Sequence, residues 1–274
     1  MPRLRKYSGA GNDFIVLDGR TEDVSGFRDP ARIAALCDRT AGFAAADGRI
    51  GADGLMILTA GGGALDFRME YYNADGSGGM MCGNGGRCIT AFADALGLRP
   101  ADGRVFRFEA ADGEHTGEIL SRDGGRKTVR LRMIDVRVFH PALDGWFLDT
   151  GTRHFVRFVP DAEAVDVETE GRAARRDPVF APAGANANFV SVDPDGTLRV
   201  RTFEKGVEGE TLACGTGITA SALAAFAVGI PGQACAGGVH YDIQARTDRL
   251  AVEFRPGGEC FTEVYLTGPA EEIR

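Results

Sequence analysis

The chain carries one short pattern twice. Cys82-Gly83-Asn84-Gly85 and Cys214-Gly215-Thr216-Gly217 each open an apolar, helix-forming run, and 132 positions separate the two cysteines in a chain of 274 residues. A spacing of nearly half the chain is explained more simply by a duplicated domain than by chance, so two halves of like architecture are expected. The segments Gly9-Ala10-Gly11-Asn12-Asp13-Phe14 and Gly184-Ala185-Asn186-Ala187-Asn188-Phe189 also match, at a different offset, and add weak support. Two domains of ordinary size fit this length.

Around the repeats the chain is strand-rich. Residues 14–18, 54–59 and 66–72 are β-branched or aromatic runs bounded by Gly and Asp, and similar runs lie at 105–110, 128–139, 145–149, 154–159, 187–192, 198–203 and in alternation over 239–264. A short helix is predicted at 28–37. A second, at 87–96, has Ile89, Phe92, Ala93 and Leu96 at helical spacing and is stopped by Gly97 and Pro100. Residues 218–228 form a third, apolar almost all round and therefore buried, stopped by Gly229 and Pro231. The charge-rich stretch 168–177 reads as a solvated helix or loop. Strands with a few helices, not regular βαβ winding, indicate an α+β protein.

Composition removes several function classes. Hydrophobic residues at 44% and charged residues at 26% are ordinary for a globular protein. A net charge of −8 opposes broad attraction to phosphate backbones, so nucleic acid is not an expected partner. No run of about 18 apolar residues is present, and Met1-Pro2-Arg3-Leu4-Arg5-Lys6 leads into a mixed segment without a signal-peptide core. No membrane association and a cytoplasmic location are therefore expected. Six cysteines without a secretory signal predict reduced thiols, and His115, His140, His154 and His240 show no zinc-type spacing, so no metal is expected. Glycine, at 39 of 274 residues, is about twice ordinary usage and predicts loops that approach a ligand or another backbone closely.

The repeat itself carries chemistry. A thiol at a helix N-terminus faces exposed N–H groups and the positive end of the dipole, which stabilise thiolate. Glycines after the cysteine let further N–H groups form an anion-binding concavity. Two such units hold a carboxylate between two sulfurs, and fixed donors where charge develops are what proton abstraction beside a carboxylate requires. A base on one face and an acid on the other invert the centre. Cys37, Cys235 and Cys260 read as small hydrophobes, and Cys88, six residues beyond Cys82, points into packing. Phosphate binding is the rival use of a Gly-rich helix entry, but neither the P-loop nor the dinucleotide pattern is present. A hydrolase with one nucleophilic cysteine and His154 as base is a further reading, and a non-catalytic amino-acid binder another.

Several stretches together resemble the diaminopimelate epimerase family over nearly the whole chain. They are Ser8-Gly9-Ala10-Gly11-Asn12-Asp13-Phe14, Tyr72-Asn73-Ala74-Asp75-Gly76-Ser77, Met81-Cys82-Gly83-Asn84-Gly85-Gly86-Arg87-Cys88, Asp149-Thr150-Gly151-Thr152-Arg153-His154, Ala187-Asn188-Phe189, Phe203-Glu204-Lys205-Gly206, Glu210-Thr211-Leu212-Ala213-Cys214-Gly215-Thr216-Gly217 and Leu266-Thr267-Gly268-Pro269-Ala270. The resemblance implies two pseudo-symmetric α/β halves, each a barrel-like sheet around a central helix, with the active site in the cleft between them. One half is expected at 1–125 plus 264–274 with Cys82, the other at 126–263 with Cys214. It further implies epimerisation of LL-2,6-diaminopimelate to the meso form for lysine and peptidoglycan synthesis, no pyridoxal phosphate or other cofactor, and a homodimer.

By the same resemblance Cys82 and Cys214 are the catalytic bases. Asn12, Asn73, Asn188 and Glu204 match positions that bind the polar ends of the substrate, and Gly83, Asn84, Gly215 and Thr216 match loops that hold the reacting carboxylate. His154 and Glu204 match a pair placed near the thiols. Thr152 stands where the family usually has Asn, in an Asn-Pro-His sequence, and Lys205 where it usually has Arg; both positions face the distal end of the substrate. Arg grips a carboxylate with a planar fork whereas Lys is a point charge, so the exchange bears on substrate choice. A related two-thiol racemase acting on histidine or proline is the alternative, although proline racemases usually carry His at the position of Asn84.

Overall fold

The computed structural model describes residues 2–79 and 82–274. It divides into two compact units, the first running to Leu131 and including Gly268–Arg274, the second Arg132–Thr267. The first unit contains β1 (Arg5–Gly9), β2 (Asn12–Asp18), β3 (Gly54–Ala60), β4 (Phe67–Asn73), β5 (Val105–Ala110), β6 (Gly113–Asp123) and β7 (Arg126–Arg132), with helices α1 (Pro30–Cys37) and α2 (Gly83–Ala95). β1 and β2 form a hairpin whose turn residues, Ala10 and Gly11, both have positive φ (59° and 101°), the requirement of a tight two-residue turn. From β2 the ladder passes through β3 to β7 in chain order. The C-terminal residues of the last strand of the chain then pair with both β7 and β1, closing an 8-stranded ring without a free edge.

Two of these pairings, β2 with β3 and β4 with β5, are parallel and need crossovers. The first crossover carries α1, started by Pro30 and capped by the Asp29 carboxylate, which accepts from Arg32 N at 2.8 Å. Its Ile33 packs with Ile15, Leu17, Leu55 and Ile57 of β2 and β3. The second carries α2, buried from Gly83 through Ala93 against β1, β2, β3 and β6. A Cβ on Gly9 would stand 2.8 Å from the Asn84 carbonyl, so β1 lies on α2 only because that residue is glycine.

The second unit repeats the plan with β8 (Phe139–Ala142), β9 (Gly145–Asp149), β10 (Arg153–Phe158), β11 (Asn186–Val192), β12 (Leu198–Glu204), β13 (Gly209–Thr211), β14 (Gln233–Cys235), β15 (Gly238–Gln244), β16 (Arg249–Pro256) and β17 (Phe261–Ile273), the first part of which belongs here. Its helices are α3 (Val167–Arg175) and α4 (Gly215–Ala227). The parallel pairs are β10 with β11, crossed by α3, and β12 with β15, crossed by α4, so Cys82 and Cys214 stand at the same point of two copies of one topology. Closure is looser: the stretch leading into β8 meets β17 through the Val136–Phe261 bridge and the Met133 N to Val264 O bond of 2.9 Å.

The single strand expected at 128–139 is thus two, β7 and β8. Between them the chain leaves one unit for the other, and Asp135 turns it by accepting from Arg132 at 2.6 Å and Glu263 N at 3.1 Å. The unit boundaries fall a few residues after 125/126 and 263/264 because β7 pairs wholly within the first unit. The stretch expected at 168–177 is largely the helix α3, with Val167, Gly171 and Ala174 buried on the side of Phe203 and its charged residues Glu168, Glu170 and Arg172 exposed.

The first unit buries an ion pair. Lys6, 1% exposed, meets Asp13 at 2.7 Å, and Arg39 joins Asp13 from the solvent side at 2.8 Å. Burial pushes the Asp13 carboxyl up, but hydrogen bonds from Arg39 and Lys6 and their charges outweigh it and hold the group below the usual carboxylate range. Replacing Asp13 by Asn strands the Lys6 ammonium and should cost about 3–5 kcal/mol in urea unfolding. A carboxyl with a lowered native pKa contributes fully above its unfolded value of about 4, and loses that contribution as pH falls through the native value. The stability gap between wild type and Asp13→Asn should therefore be constant above about pH 5 and close steadily below pH 4; a gap that does not change with acid contradicts this assignment.

Candidate active site

Cys82 is the N-cap of α2. Its backbone is extended (φ −113°, ψ 132°), its carbonyl accepts from Gly86 N at 2.8 Å, and its own side chain makes no capping bond to the helix. Asn84, 1% exposed, donates to Asn12 Oδ1 at 2.6 Å and accepts from Arg87 at 2.8 Å. Arg87, fully buried, also donates to the carbonyls of Gly83 and Pro269, each at 3.3 Å. Asn12 passes the chain of bonds on to Asp53 Oδ2 at 2.9 Å. Cys82, Gly83, Asn84 and Asn12 are thus drawn together where α2 begins and the β1–β2 hairpin ends. Asn73 ends β4 in register with Gly54, next to Asp53, and its amide donates to Ser77 Oγ at 3.0 Å across the turn that follows. Cys88 lies wholly inside, and burial pushes its thiol well above the ordinary range.

Cys214 is likewise an extended N-cap (φ −106°, ψ 108°), and its own side chain makes no capping bond to α4. Its Sγ lies 3.4 Å from Thr216 Oγ1. Thr216 Oγ1 is also 3.0 Å from His154 Nε2 and 3.3 Å from Thr152 Oγ1, which itself lies 2.9 Å from Nε2. Thr150 fixes the Thr216 backbone by donating to its carbonyl at 3.0 Å. His154 is completely buried on β10, and that burial, aided by the Lys205 charge, pushes it down to about 3. It is a neutral imidazole at physiological pH. Behind it Asn188, also fully buried, faces Nδ1 at 3.1 Å.

Glu204 ends β12 and Lys205 follows it. Glu204 is half-buried in the ladder with Gly209, and Lys205 is exposed, with its backbone N donating to Asn186 Oδ1 at 2.7 Å. The second unit therefore gathers Cys214, Thr216, Thr152 and His154 into one hydrogen-bonded group, with Gly215 between Cys214 and Thr216 as the first residue of α4. Asn188 stands behind His154, bonded inward to protein groups. Thr152, at a position the resemblance places toward the substrate's distal end, contacts the imidazole here. Asn186 and Asp53 are polar residues of the site that the motifs did not single out. Asn186 is 4% exposed and bridges Arg153 O at 3.0 Å to Lys205 N. Its signal was available, since residues two apart on a strand share a face and Asn188 was already selected.

Two barrel-like halves, each enclosing a helix, define a fold class shared with solved proteins. The phenazine biosynthesis protein of the PhzF family from Bacillus anthracis superposes with a TM-score of 0.72, covering 99% of this chain and 96% of that one at 12% identity. A probable proline racemase from Agrobacterium radiobacter K84 gives 0.68, with 98% and 90% covered at 18% identity. At such identities the likeness is one of fold. The sequence profile of the family described as diaminopimelate epimerase matches residues 4–131 and 146–271, and the chain belongs to that family. The diaminopimelate epimerase of Chlorobaculum tepidum is 41% identical over 271 residues, spanning 97% of each chain. That of Flavobacterium psychrophilum is 38% identical over 271 residues, spanning 99% of this chain and 98% of its own.

The packing of α4 on His154 and Asn188 is open to a direct test. A Cβ on Gly217 would stand 2.4 Å from Asn188 Oδ1 and 3.3 Å from His154 Cε1. Gly217→Ala should lose about 1–3 kcal/mol in denaturant unfolding, as overpacking does, whereas Gly258→Ala, whose Cβ meets nothing within 4 Å, should stay within about 0.5 kcal/mol of wild type. Equal effects at the two sites contradict the close packing.

Proposed function

We propose that the protein epimerises LL-2,6-diaminopimelate to the meso form without a cofactor, with Cys82 and Cys214 as base and acid on opposite faces of the α-carbon. The observation that carries this reading is the pair of buried helices, each begun by a cysteine whose own side chain makes no capping bond, in a chain that belongs to the diaminopimelate epimerase family along nearly its whole length. In the forward direction one thiolate removes the α-proton and the opposite thiol delivers another to the other face. Backbone N–H groups of the two helix starts, at Gly83, Asn84, Gly215 and Thr216, supply donors where the carboxylate gains charge. Asn12, Asn73, Glu204 and Lys205 complete the substrate-binding set, Thr152 and His154 support Cys214, and Asn188, its amide bonded to Phe155, His154 and Thr202, stands behind the imidazole instead of at the substrate. The reading includes a cytoplasmic homodimer, as the family resemblance implies; among the described residues no helix is long and apolar enough to cross a membrane.

The arrangement at Cys214 weighs against a single-nucleophile hydrolase. A general base needs a lone pair within reach of the thiol proton. The ring nitrogens of His154 instead meet Thr152, Thr216, Asn186 and Asn188, with Thr216 between the imidazole and the sulfur.

Incubated in deuterium oxide with LL- or meso-diaminopimelate, the dialysed enzyme should introduce solvent deuterium at the α-carbon, followed by NMR, and treatment with chelator and hydroxylamine should leave the rate unchanged. Failure to exchange either isomer while exchanging an amino acid without a distal carboxylate would favour the two-thiol racemase reading. Cys82→Ser and Cys214→Ser should each slow epimerisation by at least about 100-fold, because a hydroxyl is far too weak an acid to replace a thiol in proton transfer. Near-wild-type rates in either variant end the two-thiol mechanism. Lys205→Arg, which replaces a compact charge by a fork, should change KM for diaminopimelate more than kcat if this residue meets the distal carboxylate.

A further inference from the structure

The proton positions around His154 follow from the groups that surround it. Asn188 lies with Nδ2 3.0 Å from the Phe155 carbonyl and 3.1 Å from His154 Nδ1, while its Oδ1 accepts from the Thr202 hydroxyl at 2.9 Å. The reverse amide orientation would set its oxygen against the Phe155 oxygen, acceptor against acceptor. The amide therefore donates toward Nδ1, and Nδ1 carries a lone pair. A neutral imidazole with a lone pair at Nδ1 holds its proton at Nε2. Two hydroxyl oxygens, of Thr152 and Thr216, stand ready to accept it, at 2.9 and 3.0 Å.

We propose that Asn188 is a positioning residue that locks His154 as the Nε2–H tautomer and so reserves the Thr216 hydroxyl proton for the Cys214 sulfur. In the opposite tautomer Nε2 would present a lone pair 3.0 Å from Thr216 Oγ1 and would draw the hydroxyl proton away from a sulfur at 3.4 Å. With Nε2 protonated, the remaining competitor is the Thr152 hydroxyl oxygen at 3.3 Å, a neutral acceptor that a thiolate outcompetes. Thr216 then accepts from the imidazole and donates to sulfur, which favours thiolate at Cys214. The thiol proton itself leaves to substrate or solvent, and His154 exchanges none. This inference rests on the reading of Cys214 as one of the two bases and adds a residue that acts on it through two others.

The test uses the full-length, 15N-labelled protein. Long-range proton–nitrogen spectra of the His154 ring, assigned by loss of its signals in His154→Gln, should show a protonated Nε2 and a lone-pair Nδ1 throughout pH 6–9, a range set by its neutral state. In Asn188→Asp the carboxylate accepts from the ring, so the proton should move to Nδ1. Alkylation of Cys214 by iodoacetamide at pH 7, read on its peptide by mass spectrometry, should then slow about tenfold, and kcat should fall with little change in KM. Thr216→Val should slow alkylation as much, and the double variant no further, because both changes remove one hydrogen bond. A wild-type ring protonated at Nδ1 overturns the proposal, as does a Thr216→Val protein alkylated at the wild-type rate; both measurements stand if Asn188→Asp does not fold. Neither requires substrate, so a locked ring in a protein that exchanges no α-hydrogen would sink the epimerase reading alone.

Discussion

A helix enclosed by a closed sheet must settle its polar groups without water, and most of the structure follows from that. Beyond the first turn the hydroxyls of α2 and α4 are returned to the helix itself: Thr90 to Gly86 O at 2.8 Å, Thr219 to Gly215 O at 2.9 Å and Ser221 to Gly217 O at 2.8 Å. Enclosure also demands small residues wherever a strand approaches, as at Gly9 beside the Asn84 carbonyl and Gly117, whose Cβ would stand 2.4 Å from Thr90 Oγ1. At the start of each helix the N-cap is a cysteine whose own side chain makes no capping bond. Each unit thus sets a cysteine at the entry of its enclosed helix.

The two units answer the same demand with different chemistry. The first uses charge: Arg87 grips the α2 start, and Lys6, Asp13, Arg39 and Asp53 tie the hairpin below it. Charged hydrogen bonds are stiff and directional, so Asn84 and Asn12 are held in one arrangement. The second uses neutral amides, hydroxyls and an imidazole, in which protons move by rotation of a hydroxyl. The burial that pushes His154 far below its ordinary range keeps that network neutral.

What the sequence disclosed tracks the strength of local patterns. The paired cysteine motifs marked the helix starts and the duplication because glycine runs ahead of apolar runs are rare. Helix α2 nevertheless begins four residues before the predicted start, since Gly83-Asn84-Gly85-Gly86 has poor intrinsic helix propensity and is helical only because it is enclosed. Strand β6 carried no signal: Gly113–Asp123 has just two buried positions, His115 and Gly117, and owes its conformation to β5 and β7. Asn188 could be selected by motif, but its orientation toward His154 and Phe155 depends on β10 lying parallel to β11, a pairing between segments about 30 residues apart. Contacts of that kind are set by topology, which a linear pattern does not contain.

The residue two places beyond each cysteine distinguishes the units most sharply. Asn84 spends its amide N–H on Asn12 and its oxygen on Arg87, a fixed donor and a fixed acceptor. Thr216 offers one hydroxyl, which either gives or takes a proton. In a reversible two-base epimerisation each thiol must be base in one direction and acid in the other, so its surroundings have to tolerate both protonation states. A hydroxyl does so with one rotation. It donates to sulfur while Cys214 is a thiolate, and it accepts S–H and turns its own proton to Thr152 when Cys214 is a thiol. The locked imidazole is compatible with both states because its Nε2–H only donates. Duplication supplied two equivalent helix starts, and the divergence at these positions makes the two thiols chemically unequal within a topologically symmetric chain.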